Sequence, residues 1–127
     1  MRVRHLIDFI NSKVPFTYFS NEVPSSYTET AAYVRLSGGY PTDADSGKRQ
    51  PSFQVVIKTK DKSGTEQDLA EDKAWEILDA LTNLREVTIG ESSITVIRSR
   101  SSSPITSPDP ETKVYYYGLN FDMVVRP

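Results

Sequence analysis

The last stretch of the chain, Lys113 to Arg126, constrains the fold more than any other. Tyr115, Tyr117, Leu119, Phe121, Met123 and Val125 alternate with Gly118, Asn120, Asp122, Val124 and Arg126. A period of two is the mark of a β-strand with one buried face, and a slip of one residue would exchange the faces. At roughly 3.3 Å per residue the stretch spans about 40 Å, more than an ordinary globular strand. The length predicts either a bend at Gly118 or a reach beyond the chain's own body. The upstream elements are expected to be laid against this strand.

Those elements are legible in turn. Val3, Leu6, Ile7, Ile10 and Val14 recur at helical spacing, which predicts an amphipathic helix over Arg2–Lys13 ended by Pro15. Phe16–Ser20 reads as a short extended piece and Asn21–Thr30 as a loop. In Ala31–Ser37, Ala32, Val34 and Leu36 alternate against Tyr33 and Arg35, a strand expected to stop at Gly38-Gly39. Ser52–Lys60 is a strand with Phe53, Val55, Ile57 and Thr59 inward and Pro51 at its start. A helix follows over Glu66–Leu84, with Ala70, Ala74, Ile77, Leu78 and Leu81 on one stripe and Trp75 well away from it. Arg85–Ile89 and Ser92–Ser99 form a hairpin through Gly90-Glu91, a pair suited to a type II′ turn, with Ile94 and Val96 leading out of it. Three prolines and many hydroxyls argue against a regular element over Arg100–Thr112.

Consecutive strands without intervening helices predict an α+β fold, a largely antiparallel sheet with two helices packed on one face. With 127 residues the chain is expected to form a single domain, 1–127. Tyr116, Val124, Val56 and Ile97 then fall on the sheet's second face. So many apolar groups there predict that partner chains cover some of them.

The chemistry is mostly exclusion. With no cysteine and one histidine, His5, the chain lacks a thiol nucleophile, a zinc-thiolate set or a histidine pair. Hydrophobic residues make up 37 %, charged residues 25 %, and the net charge is −2, a soluble balance without the positive field that gripping nucleic acid needs. The apolar runs fall far short of the ~20 residues of a membrane helix, and no secretory leader is evident, so the chain is expected to be cytosolic when made. Gly47-Lys48 resembles the end of a phosphate loop, but Thr42 stands where glycine is required and Arg49 where Ser or Thr would hold magnesium. Asp43 and Asp45 resemble the start of a calcium loop, but Gly47, Lys48 and Gln54 occupy later ligand or turn positions. Both motifs fail, leaving Gly38–Gln50 as a polar connecting loop. An enzyme would have to be a metal-dependent hydrolase or nuclease using Asp43, Asp45, Asp61 and Asp72. The acids at the start of the second helix suit its dipole better than catalysis, and no catalytic, cofactor or metal residue is assigned.

From Ala31 onward the order of features resembles the tail-terminator proteins of long-tailed bacteriophages, often labelled minor capsid or tail completion proteins. The resemblance is carried by Gly38-Gly39-Tyr40-Pro41 and by Arg49-x-Pro51 leading into Phe53-Gln54-Val55-Val56-Ile57. It continues in Ala74-Trp75-Glu76-Ile77-Leu78-Asp79-Ala80-Leu81, in Pro104-Ile105, and in Tyr117-Gly118-Leu119-Asn120-Phe121-Asp122. It implies a non-enzymatic virion protein without cofactors. Such proteins form a ring, typically a homohexamer, at the head-proximal end of the tail tube, ending tube growth and docking the head connector. The implied partners are further copies of the chain, the major tail-tube protein and a head-completion or stopper protein, with DNA only as passing cargo and no membrane. A neck or stopper role is the alternative in the same class. A ring closed by rotation needs two different contact faces on each subunit. Tyr40, Arg49, Trp75, Arg98, Arg100, Tyr116 and Val124 are the expected contact residues.

Overall fold

The computed structural model describes residues 1–109, 111 and 114–127. In chain order the elements are helix α1 (Val3–Lys13), strands β1 (Tyr18–Ser20), β2 (Ala31–Tyr40) and β3 (Gln50–Lys58), helix α2 (Gly64–Leu81), and strands β4 (Arg85–Ile89), β5 (Ser92–Ser99), β6 (Ile105–Asp109) and β7 (Val114–Val125). The strands form a curled sheet in the order β1-β2-β3-β7-β5-β4, with β6 also on β7. β1 runs parallel to β2 and the other pairings are antiparallel. This is the expected α+β architecture. Lys113, expected to open the last strand, and Pro110 and Thr112, expected to lie in the preceding loop, fall outside the described residues.

β7 has the predicted phase: Tyr117, Leu119, Phe121 and Met123 are buried, and Gly118, Asn120, Asp122 and Val124 are half-exposed. Its length is used within the chain. One edge pairs with β3 through Tyr116–Asp122, and the other is shared end to end, β6 taking Val114–Gly118 and β5 taking Phe121–Val125. That sharing is why β6 exists where the prolines and hydroxyls of Arg100–Thr112 argued for no regular element. The backbone of β7 before Phe121 has an open edge, and the segment just upstream returns to pair with it. Pro108 is tolerated because β6 is an edge strand.

Both helices cover one face. Leu6, Ile10 and Val14 from α1, and Ala70, Ala74, Ile77, Leu78 and Leu81 from α2, join the inward residues of β2, β3, β5 and β7 in one hydrophobic cluster. At its centre Phe53 and Phe121, paired across β3 and β7, stack with centroids 5.0 Å apart. Each fully buried apolar side chain of this kind stabilises the fold by about 1.5–3 kcal/mol. Ser63 caps α2 by accepting from the Glu66 amide, so the helix starts two residues before Glu66. It ends at Leu81, short of the expected Leu84, and Asn83 turns the chain at a φ of 59°. His5 has a structural place: its Nδ1 accepts from the Arg2 amide at 3.3 Å, and its ring lies against Gly90 so closely that a Cβ there would stand 2.7 Å from Nδ1. Gly90 also supplies the positive φ of the β4–β5 turn.

Two bulges shift what simple alternation predicts. In β5, Ile94 pairs with Val125 and Val96 with Val124, so Thr95 is an extra residue. Ile94 and Ile97 therefore both join the helix-side core, while Val96 turns to the far face opposite Val124. This corrects the expectation that Ile97 lies on the second face. In β2, Leu36 pairs with Phe53 and Gly39 with Pro51, so Gly38-Gly39 form a bulge instead of ending the strand. β2 thus runs on to Tyr40, β3 starts at Gln50, and the polar connection shrinks to residues 41–49. Leu36, expected to be inward, is 44 % exposed at the periphery of the core, beside Met1, Met123 and Val125.

The bulge makes a sharp mutational prediction. A Cβ at Gly39 would stand 2.2 Å from the Gln50 carbonyl oxygen at a φ of +117°, whereas at Gly38, φ +85°, it would meet open space. Gly38→Ala should cost about 1–2 kcal/mol from the left-handed backbone alone, and Gly39→Ala distinctly more because the β2–β3 ladder must part. Urea denaturation of the two variants would measure the difference; equal costs would contradict this account of the bulge.

Candidate functional site

The face of the sheet opposite the helices carries the polar chemistry. Alternation directs Ser52, Gln54, Val56 and Lys58 of β3, and Gly118, Asn120, Asp122 and Val124 of β7, to that side, and register aligns them in cross-strand rows. In the middle row Arg35 Nε donates to Gln54 Oε1 at 2.5 Å, and Gln54 Nε2 donates to Asn120 Oδ1 at 2.7 Å, linking three strands. Next to it lies a groove of about 530 Å³. Tyr33, Arg35, Val56, Lys58, Tyr116 and Asn120 are among its walls, and Val23, from the loop after β1, helps close it.

At the end of the rows sits an ion-pair cluster. Arg100 Nε donates to both Asp122 carboxylate oxygens, at 2.9 and 3.1 Å, and its terminal nitrogen donates to Ser52 Oγ at 3.0 Å. The Ser52 hydroxyl in turn donates to Asp122. Arg98 stands opposite Asp122 in the β5–β7 register. Partial burial pushes the Asp122 carboxyl up. Hydrogen bonds from Arg100 and Ser52 and the charges of Arg100 and Arg98 outweigh that, holding it below the usual carboxylate range. Arg100 is held above its ordinary range by its hydrogen bond to Asp122, then by the charge of Asp122, with a smaller contribution from Tyr40.

Three of the expected contact residues thus converge: Tyr40, 59 % exposed at the end of β2, and Arg98 and Arg100 around Asp122. Tyr116 lines the neighbouring groove, and Val124 is half-buried farther along the same face opposite Val96. Arg49 lies at the end of the sheet, its backbone exchanging hydrogen bonds with Val125 at 3.3 and 2.8 Å while its side chain is exposed. Trp75 is apart from all of these, 39 % exposed on the flank of α2 beside Leu78, Thr82 and Ser101. Asp122, Ser52, Gln54, Asn120 and Arg35 belong to the same surface without having been singled out. Their outward phase was readable from alternation, but only the strand register puts them next to one another.

Two of the four carboxylates weighed for metal chemistry, Asp43 and Asp61, are used locally. Asp43 accepts from the amides of Ser46 and Asp45, and Asp61 from Ser63, its side chain first and then its amide, which holds both below their ordinary range and fixes the turns they begin. Among the described residues no three histidine, cysteine or carboxylate side chains converge as a metal-binding group, and no helix is long and apolar enough to cross a membrane.

A family model described as bacteriophage tail terminator protein matches residues 4–126. Among solved structures, a chain from the virion of a native gene transfer agent particle is similar at a TM-score of 0.66 and 14 % identity, covering 98 % of this chain and 90 % of its own length, a likeness of fold. No sequence match was found among curated proteins.

The Asp122 cluster predicts an acid-sensitive contribution to stability. Because the folded-state pKa lies below the unfolded one, the contribution is complete above the unfolded value and fades as pH falls through the folded one. Asp122→Asn should therefore be less stable than wild type at pH 7, with the gap closing below the ordinary carboxylate range. Thermal melts of both proteins across pH 7 to pH 2 would check it; a gap that does not change with pH would remove the ion pair as its cause.

Proposed function

The chain belongs to the bacteriophage tail terminator proteins, a family of structural tail proteins, and from that premise we propose that it forms a ring at the head-proximal end of the tail tube. The ring ends tube polymerisation and presents the docking surface for the head connector. It acts as a single domain, 1–127, assembled in the host cytoplasm and retained in the virion. Its partners are further copies of itself, six in the ring, together with the major tail-tube protein below and a head-completion protein above. DNA crosses the lumen as cargo.

The observation that carries this reading is the family match over nearly the whole chain. The surface chemistry supports it. Leu36, Tyr40, Leu69, Trp75 and Ile105 are each between 39 % and 59 % exposed, large apolar groups distributed over different parts of the surface. A subunit that touches two neighbours, a tube and a connector needs several such places, because each contact requires its own desolvated centre. Tyr116 and Val124 are assigned to a subunit boundary, and Tyr40, Arg49, Arg98 and Arg100 to contacts at the end of the sheet.

Light scattering after size exclusion, with negative-stain imaging, should show a closed ring of the wild-type chain. Added to polymerising tube protein from the same phage, it should shorten the tubes; tubes of unchanged length would sink the terminator role. Tyr116→Asp and Val124→Asp should remain folded by circular dichroism yet lose the oligomer. Unfolding of both variants would instead make these residues part of the subunit's own core.

A further inference from the structure

Helix α2 and the far face of the sheet carry opposite charge. α2 carries Glu66, Asp68, Glu71, Asp72, Glu76 and Asp79 against the single basic Lys73. Its buried stripe, Ala70, Ala74, Ile77 and Leu81, fixes the rotation of the helix. Asp68, Asp72 and Asp79 consequently lie on the side of the helix away from the sheet, with Trp75 on their flank, lining a shallow concavity with Leu78, Thr82 and Ser101. Trp75 and the three aspartates are exposed, and the aspartates form no ion pair with another described residue. The groove on the far face of the sheet is the complement: Arg35 and Lys58 on its walls, Tyr33 and Tyr116 beside them, and Val56 in its floor, with Glu22 on the rim.

We propose that the outer stripe of α2 in one copy docks in the far-face groove of the next copy, with Trp75 as the apolar anchor. The assignment rests on the ring reading above and names the surfaces that build the ring. Three observations favour a second copy of this chain as the occupant. The charges are complementary, three aspartates facing Arg35 and Lys58. An exposed tryptophan borders the acidic stripe, and the groove that would receive it is walled by aromatic rings and cations, a setting for stacking and cation–π contact. Finally, the two surfaces lie on opposite sides of a two-layer molecule. A contact between them is heterologous and leaves each copy with one free partner surface at either end, as a rotationally closed ring requires.

Charge exchange tests it. Asp72→Lys with Asp79→Lys spoils the helix surface, and Arg35→Glu with Lys58→Glu spoils the groove. Each variant alone should be a folded monomer by circular dichroism and light scattering. Mixed in equal amounts they should recover the wild-type oligomer, because both contacts in an alternating ring are again of opposite charge. Wild-type assembly by either variant alone, or a mixture that stays monomeric while wild type assembles, overturns the contact. Should the groove variant fail to fold, a chain free of native cysteine offers a second measurement. Asp72→Cys combined with Lys58→Cys should oxidise to a ladder of covalent multimers, whereas either substitution alone gives dimers at most; dimers only from the double variant would also overturn it. A wild-type chain that remains monomeric throughout defeats the ring itself, an outcome distinct from a ring that ignores these substitutions.

Discussion

Every layer of this structure depends on the hydrogen bonding of β7 along both of its edges. A strand of twelve residues exposes donors and acceptors on each side, and leaving them unpaired in a sheet interior would cost more than any single side-chain contact returns. β3 satisfies one edge, and β5 and β6 divide the other. Once that arrangement exists, the phase of β7 decides which side of the whole sheet is apolar. The helices can then dock only on the side of Tyr117, Leu119, Phe121 and Met123.

The division of faces has a second consequence. The helix side is dry and closed, built from stacked aromatics and aliphatic side chains. The far side is organised by cross-strand polar rows, Arg35–Gln54–Asn120 and Arg100–Ser52–Asp122, in which Ser52 is buried and the other side chains are held in place while still reaching solvent. Such rows contribute little to stability individually. Their effect is to present a preorganised, mainly cationic surface, which lowers the ordering cost of binding a partner.

For a structural tail protein this arrangement is more informative than the net charge of −2, which conceals a separation. Six acidic groups collect on α2, and Arg35, Lys58, Arg98 and Arg100 lie on the opposite face of the sheet. In the proposed ring, electrostatics would set the polarity of assembly and a few exposed aromatic groups would supply its affinity, although the chain as a whole is near neutral.

The sequence by itself determined the helices, β3, the β4–β5 hairpin and the phase of β7, because periodicity follows directly from which side of an element is buried. It also placed Trp75 off the apolar stripe by helical geometry, but its position on the flank of α2, 39 % exposed beside Leu78 and Ser101, came only from the tertiary structure. Only the tertiary structure decided the rest. β6 forms in a segment with poor strand propensity because an open edge of β7 lies beside it, and a local pattern holds no record of a vacant edge. Thr95 and Gly38-Gly39 enter as bulges where β5 and β2 keep register with their partners, and one inserted residue brings Ile97 to the helix side and turns Val96, still buried, to the other. The far-face surface was legible only as a set of outward polar positions. Which of them meet depends on register between strands as distant in sequence as Ser52 and Asp122, and register is settled by how the whole apolar face packs.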